Sequence, residues 1–85
     1  MAPTTLKVVV APTAGRLRLL PPVLFRDGSE WVEAGQAVAR LEQGRGDTIL
    51  RAPVGGRVAA VLGLEGEPVL PGQPVLAIDP DTSEA

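Results

Sequence analysis

The sequence predicts an all-β domain, a flattened barrel or sandwich assembled from two related halves. Three observations lead there. Short valine- and leucine-rich segments are punctuated by ten glycines and nine prolines, a spacing that marks strands and tight turns and leaves no room for long helices. The run A-P-T-A-G-R-L at residues 11–17 returns as A-P-V-G-G-R-V at 52–58, and V-x-x-G-Q-x-V at 32–38 returns at 69–75. Such self-similarity means one supersecondary unit used twice, neither copy able to bury its apolar face alone. Trp31 and Phe25 are the only aromatic residues, which suits a core of thin Val, Leu and Ala layers.

The elements follow in order. Residues 7–11 read as a first strand, stopped by Pro12, whose missing N–H suits a strand edge. Residues 15–20 form a second, with Leu17 and Leu19 on one face and Arg16 and Arg18 on the other. Pro21-Pro22 breaks it, and 23–25 makes a short third strand before the turn Asp27-Gly28. Residues 36–42 are a fourth, where alternation sets Val38 and either Ala37 or Leu41 inward. After the tip Gly44-Arg45-Gly46, residues 47–52 form a fifth strand, ended by Pro53, and 56–62 a sixth. Gly66 and Gly72 mark turns before a last strand at 75–78. One domain therefore spans 7–79, with a disordered N-terminus at 1–6 and a mobile acidic tail at 80–85.

The repeat has unequal offsets. Pro12 to Pro53 and Gly15 to Gly56 are both 41 residues apart, whereas Val32 to Val69, Gly35 to Gly72 and Val38 to Val75 are 37 apart. The first half thus carries four extra residues between Gly15 and Val32, placed from Leu20-Pro21-Pro22 onward. Two four-strand halves related by a pseudo-twofold, apolar faces together, give the flattened barrel, with strand hydrogen bonds closing around its edge.

Composition removes most chemistry. In 85 residues there is no histidine, cysteine or tyrosine, so imidazole bases, thiol nucleophiles, disulfides and thiolate or imidazole metal sites are missing. Ser29 and Ser83 have no base to activate them. The carboxylate pairs Glu65/Glu67 and Glu30/Glu33 fit solvated turn charge better than acid–base work. No enzyme activity, metal or cofactor is expected. The net charge of -2 and seven dispersed arginines, of which only Arg26 adjoins an aromatic residue, give no nucleic-acid footprint. No apolar run approaches the roughly twenty residues of a membrane span, and residues 1–5 lack the features of a signal peptide. A cytoplasmic protein is the expectation.

From about Lys7 to Asp79 the chain resembles the biotinyl/lipoyl carrier domain family, the swinging-arm modules of biotin-dependent carboxylases and 2-oxo acid dehydrogenase complexes. The strongest piece runs from Gly35-Gln36-Ala37-Val38-Ala39-Arg40-Leu41-Glu42 through Arg51-Ala52-Pro53-Val54-Gly55-Gly56-Arg57-Val58. Biotin carriers set a Glu-Ala-Met-Lys-Met tip at this distance before a similar Arg-Ala-Pro, and lipoyl tips are similar to Glu-Thr-Asp-Lys-Ala. The resemblance implies a barrel-sandwich hybrid fold and places the attachment position at Arg45, with Glu42 matching the tip's glutamate. The extra residues near Leu20-Pro21-Pro22 fall where biotin carriers of bacterial acetyl-CoA carboxylase bear a thumb, here at most a stunted one.

The departure is as specific as the match. Attachment requires a free-base lysine amine, and a guanidinium stays protonated with its lone pair delocalised. Gly44 and Gly46 also replace both flanking residues of either tip. The only lysine, Lys7, corresponds by the repeat to Thr48 rather than to a tip. The expectation is an unmodified carrier-like domain, without biotin or lipoate, serving as a non-catalytic binding or scaffolding module. The resemblance implies a protein partner of acyltransferase, dehydrogenase or carboxylase type. The alternatives are a genuine carrier modified by an unrecognised route and a split-off structural domain of an acyltransferase. Candidate partner-binding residues are Gly44, Arg45, Gly46 and Trp31. The glycines serve either as turn formers beside a solvated Arg45 or as a close-approach platform for a docking guanidinium. Trp31 is either a core lid or an exposed hot spot.

Overall fold

The computed structural model describes residues 5–21 and 24–80. Nine strands occur among them: β1 (Lys7–Val10), β2 (Gly15–Leu19), β3 (Leu24–Arg26), β4 (Ser29–Val32), β5 (Ala37–Glu42), β6 (Asp47–Arg51), β7 (Gly56–Val61), β8 (Pro68–Val69) and β9 (Pro74–Pro80). The domain is all-β, as expected. Its strands form two antiparallel sheets, one of five strands in the order β1-β9-β7-β4-β3 and one of four in the order β6-β5-β2-β8. The expected closure of hydrogen bonds into a barrel does not occur, and both sheets remain open at β1, β3, β6 and β8. The chain crosses from sheet to sheet at Pro12 and Pro53, where a ladder loses its donor, and β3 and β8 are too short to bridge the other edges.

Exchanging β1 with β6, β2 with β7, β4 with β8 and β5 with β9 converts the order β1-β9-β7-β4 into β6-β5-β2-β8. The register follows the same exchange. Leu17 opposite Leu41 becomes Val58 opposite Ile78, and Arg16 opposite Glu42 becomes Arg57 opposite Asp79. Lys7 opposite Ile78 becomes Thr48 opposite Leu41, and Gly15 opposite Val69 becomes Gly56 opposite Val32. One irregularity also corresponds, a bulge in β5 between Ala37 and Ala39 matched by one in β9 between Pro74 and Leu76. A bulge in β7 between Val58 and Ala60, by contrast, has no counterpart in β2 and sets Ala60 opposite Ala77, one residue out of step with Leu19 opposite Ala39.

The bulge answers the question of which residues of β5 face inward. Val38 and Ala39 are both buried there, so the alternation resumes with Leu41 buried and leaves Ala37 half-exposed. The core between the sheets consists largely of equivalent pairs, with Leu41 and Ile78 fully buried at its centre and Val32/Val69, Val38/Val75 and Ala11/Ala52 around them.

The recurring G-Q has a turn function. Gln36 Oε1 accepts the Glu33 N–H at 2.9 Å, and Gln73 Oε1 accepts the Leu70 N–H at 3.1 Å. Each turn then docks by its backbone: Gly35 N–H donates to Ala52 C=O at 2.8 Å and Gly72 N–H to Ala11 C=O at 2.7 Å. Gly15 and Gly56 stand where β2 meets β5 and β7 meets β9. A Cβ on Gly15 would come within 2.9 Å of Leu41 Cβ, and one on Gly56 would collide with the Asp79 carbonyl.

The sequence pattern did not indicate β4 or β8. β8 has two residues, too few for any period, and β4 mixes Ser29 and Glu30 with its apolar pair. The extra residues of the first half surround β3, which has no counterpart in the exchange. β3 pairs with β4 through the turn Asp27-Gly28, where both residues adopt positive φ, 50° and 76°. Of the third strand expected over 23–25, Leu24 and Phe25 lie in β3, and Val23 and Pro22 lie outside the described residues, as do 1–4 of the N-terminal segment and 81–85 of the tail. Pro80 belongs to β9, one residue beyond the expected domain end.

Candidate functional site

The tip of the β5–β6 hairpin is built on Leu41 opposite Thr48 and Glu42 opposite Asp47. Gln43 N–H donates to Gly46 C=O at 3.2 Å and closes the loop. Gly44 and Gly46 adopt φ of 82° and 145°, a region that L side chains rarely visit, and a Cβ on either would meet open space. The glycines are therefore conformational requirements of the turn. Arg45 between them is exposed, and among the described residues it has no hydrogen-bond or ion partner.

The base of the tip is firmly held. Gln43 Nε2 donates to Ala14 C=O at 2.9 Å, and Thr48 Oγ1 donates to Gln43 Oε1 at 2.6 Å. Gln43 thereby ties the hairpin to the β1–β2 connection. Its role was not visible in the sequence, because the bond spans 29 residues. The exchange of halves carries Glu42 onto Asp79 and Asp47 onto Leu6, so it maps the tip onto the two chain ends.

Beside the tip, the outer face of the four-stranded sheet carries a chain of ion pairs. Arg18 bridges Glu42 and Glu65, both at 3.1 Å, and Arg40 bridges Glu42 at 3.4 Å and Asp47 at 3.1 Å. The Glu65 carboxylate also accepts the Leu19 N–H at 2.7 Å. That backbone hydrogen bond, with the Arg18 guanidinium second, holds the Glu65 carboxyl below its ordinary value. The same carboxylate, followed by that of Glu42, raises the already high value of Arg18. The carboxylates expected as solvated turn charge thus divide, and Glu65 clasps its loop onto β2. These ion pairs engage the charges flanking the hairpin and leave Arg45 as its unengaged cation.

Trp31 is not a lid on the inter-sheet core. Its neighbour Val32 points into that core, so β-alternation turns Trp31 to the outer face of the five-stranded sheet, level with Arg57. It is half-buried there, with the Arg26 guanidinium 4.0 Å from the ring centroid. A hollow of about 420 Å³ lies alongside, floored by Gly55 and Gly56. The indole Nε1 is buried and has no hydrogen-bond partner among the described residues. Trp31 and the tip belong to different sheets, so the candidate residues do not form one site.

A second, mainly apolar cleft of about 400 Å³ opens between the sheets, lined by Leu19, Leu20, Val38, Val58, Val61 and Leu76 among others. At the corresponding place in the second half, Leu62 and Gly63 both donate to Val75 C=O, at 2.8 and 3.1 Å, and the buried Gly63 packs by Leu17. Beyond the β7 bulge the counterpart of Leu62 is Leu20, whose N–H donates to Val38 C=O at 3.1 Å, and the counterpart of Gly63 is Pro21, which has no N–H to give.

No helix among the described residues is long and apolar enough to cross a membrane. No protein-family model matches the chain, and no curated protein matches it significantly. The resemblance to carrier domains therefore rests on the motifs quoted above.

Proposed function

We propose that this is an unmodified biotinyl/lipoyl-like domain of barrel-sandwich hybrid type, acting as a non-catalytic docking or scaffolding module. Its partner is a protein, a subunit of acyltransferase, dehydrogenase or carboxylase type. The observation that carries the reading is Arg45 at the attachment position, exposed and unpaired among the described residues, between two positive-φ glycines. A guanidinium cannot take a biotinyl or lipoyl amide, but its planar donors suit a carboxylate on a partner. The glycines leave no side chain in the way of close approach. The paired sheets and the exchange of halves support the fold assignment.

Two measurements test this. Intact mass of protein isolated from cells with active biotin and lipoate ligases should show no addition of a biotinyl or lipoyl group. A gain matching either group refutes the unmodified reading. Arg45→Ala should leave stability within about 0.5 kcal/mol of the parent while weakening capture of the native partner. An exposed contact would lose little, whereas a desolvated pair would lose about 2–5 kcal/mol. Undiminished capture by the variant would remove Arg45 from the interface.

A further inference from the structure

We propose that β1 is a self-pairing edge, through which two copies of this chain join antiparallel and continue the five-stranded sheet across a twofold axis. The inference stands apart from the docking role of the tip.

Among the described residues β1 pairs only with β9, and its other side is an open edge. Ala11 N–H donates to Gln73 C=O at 2.9 Å, and Ala11 C=O accepts from Gly72 at 2.7 Å, so the backbone groups of Ala11 are turned toward the β9 side. Antiparallel alternation then turns those of Val9 the same way and those of Val8 and Val10 outward, two donors and two acceptors at ladder spacing.

The repeat supplies the control. The equivalent edge, β6, is guarded by charge, and its neighbourhood shows what β1 has lost. Asp47 corresponds to Leu6, Arg51 to Val10, and Glu33 in the adjoining turn to Leu70. Leu6, Val8 and Val10 are 45%, 47% and 46% exposed, and Leu70 is 69% exposed. Charged residues on edge strands block sheet-to-sheet pairing, and β1 lacks them from Val8 to Ala11.

The occupant must be an extended strand, because the free groups are main-chain groups. It must also be apolar and uncharged over this length. A second β1 meets both conditions. In the antiparallel register centred on Val9, each Val8 faces Val10 of the other copy, four backbone hydrogen bonds form, and Lys7 is opposite Ala11 rather than another lysine. Valine pairs of this kind stabilise a ladder. So short an interface falls below the area of about 1,200 Å² typical of stable complexes, which makes the dimer weak and concentration-dependent.

Sedimentation equilibrium of the full chain up to about 1 mM should show a monomer–dimer equilibrium in the upper part of that range. In hydrogen exchange on the same unaltered protein, the Val8 and Val10 amides should slow as concentration rises. Those of Ile49 and Arg51, their counterparts on β6, should not change. Val8→Lys should weaken association at least about tenfold, while Ile49→Lys leaves it as it was. A monomer at every concentration, Val8 and Val10 exchange indifferent to concentration, or association that survives Val8→Lys would each overturn the proposal.

Discussion

The outer faces of the two sheets occupy equivalent positions of the repeat and carry opposite chemistry. On the four-stranded sheet, Arg18, Arg40 and Glu42 join Asp47 and Glu65 in a chain of ion pairs. On the five-stranded sheet, the counterparts of Arg40, Ile49 and Arg51 are Ala77, Val8 and Val10, and one ion pair, Arg57–Asp79, remains among the described residues. Inward positions behave differently: Leu41 keeps a large aliphatic partner in Ile78, Val32 in Val69 and Val38 in Val75. Inter-sheet packing holds the inner residues to volume and apolarity in both copies. Outward residues answer to solvent and partners, and there the halves have diverged.

If the inner frame is shared, equivalent core truncations should cost alike. Leu41→Ala and Ile78→Ala should each lower stability by about 2–5 kcal/mol in urea unfolding, within roughly 1 kcal/mol of one another. A large effect in one half and a trivial one in the other would break the equivalence.

The close-approach glycines should sharpen it. A methyl on Gly56 runs head-on into the backbone carbonyl of Asp79, whereas one on Gly15 is less crowded, meeting Leu41 Cβ at 2.9 Å and Gln43 Cγ and the Glu42 carbonyl oxygen at 3.2 Å. Gly56→Ala should therefore destabilise by about 3 kcal/mol and Gly15→Ala by nearer 1 kcal/mol. The reverse order would show that the second half yields more easily than its geometry implies.

The smallest effect concerns the ionic face. Because the folded protein holds the Glu65 carboxyl below its ordinary value, ionised Glu65 stabilises the fold at pH values above the unfolded glutamate range. That contribution is lost as pH falls through the lowered folded value. Wild type should thus melt above Glu65→Gln at neutral pH, and the gap should close below about pH 4. A gap that widens in acid would contradict the clasp between Glu65 and Leu19.

How much of this was legible beforehand depends on whether a feature is local. The positions of seven of the nine strands, the Gly44-Arg45-Gly46 turn and the repeat offsets lie in contiguous residues, and they could be read directly. The open sheets could not, because closure depends on whether edge strands as short as β3 and β8 reach a neighbour. The outward position of Trp31 depended on assigning β4, which two polar residues disguised. Gln43 and Glu65 act across 29 and 46 residues, where no sequence period points. Arg45 was singled out as a residue, but its lack of a partner emerged only when the neighbouring arginines were seen to be engaged.

The central claim is that one pairing frame serves both halves, and cross-strand nuclear Overhauser contacts test it most directly. The account predicts matched sets, with Leu17–Leu41 accompanied by Val58–Ile78, Thr48–Leu41 by Lys7–Ile78, and Gly15–Val69 by Gly56–Val32. A second half displaced by one residue at these pairs, which precede the β7 bulge that sets Ala60 opposite Ala77, would contradict it, since such a slip turns the core side chains to the opposite face.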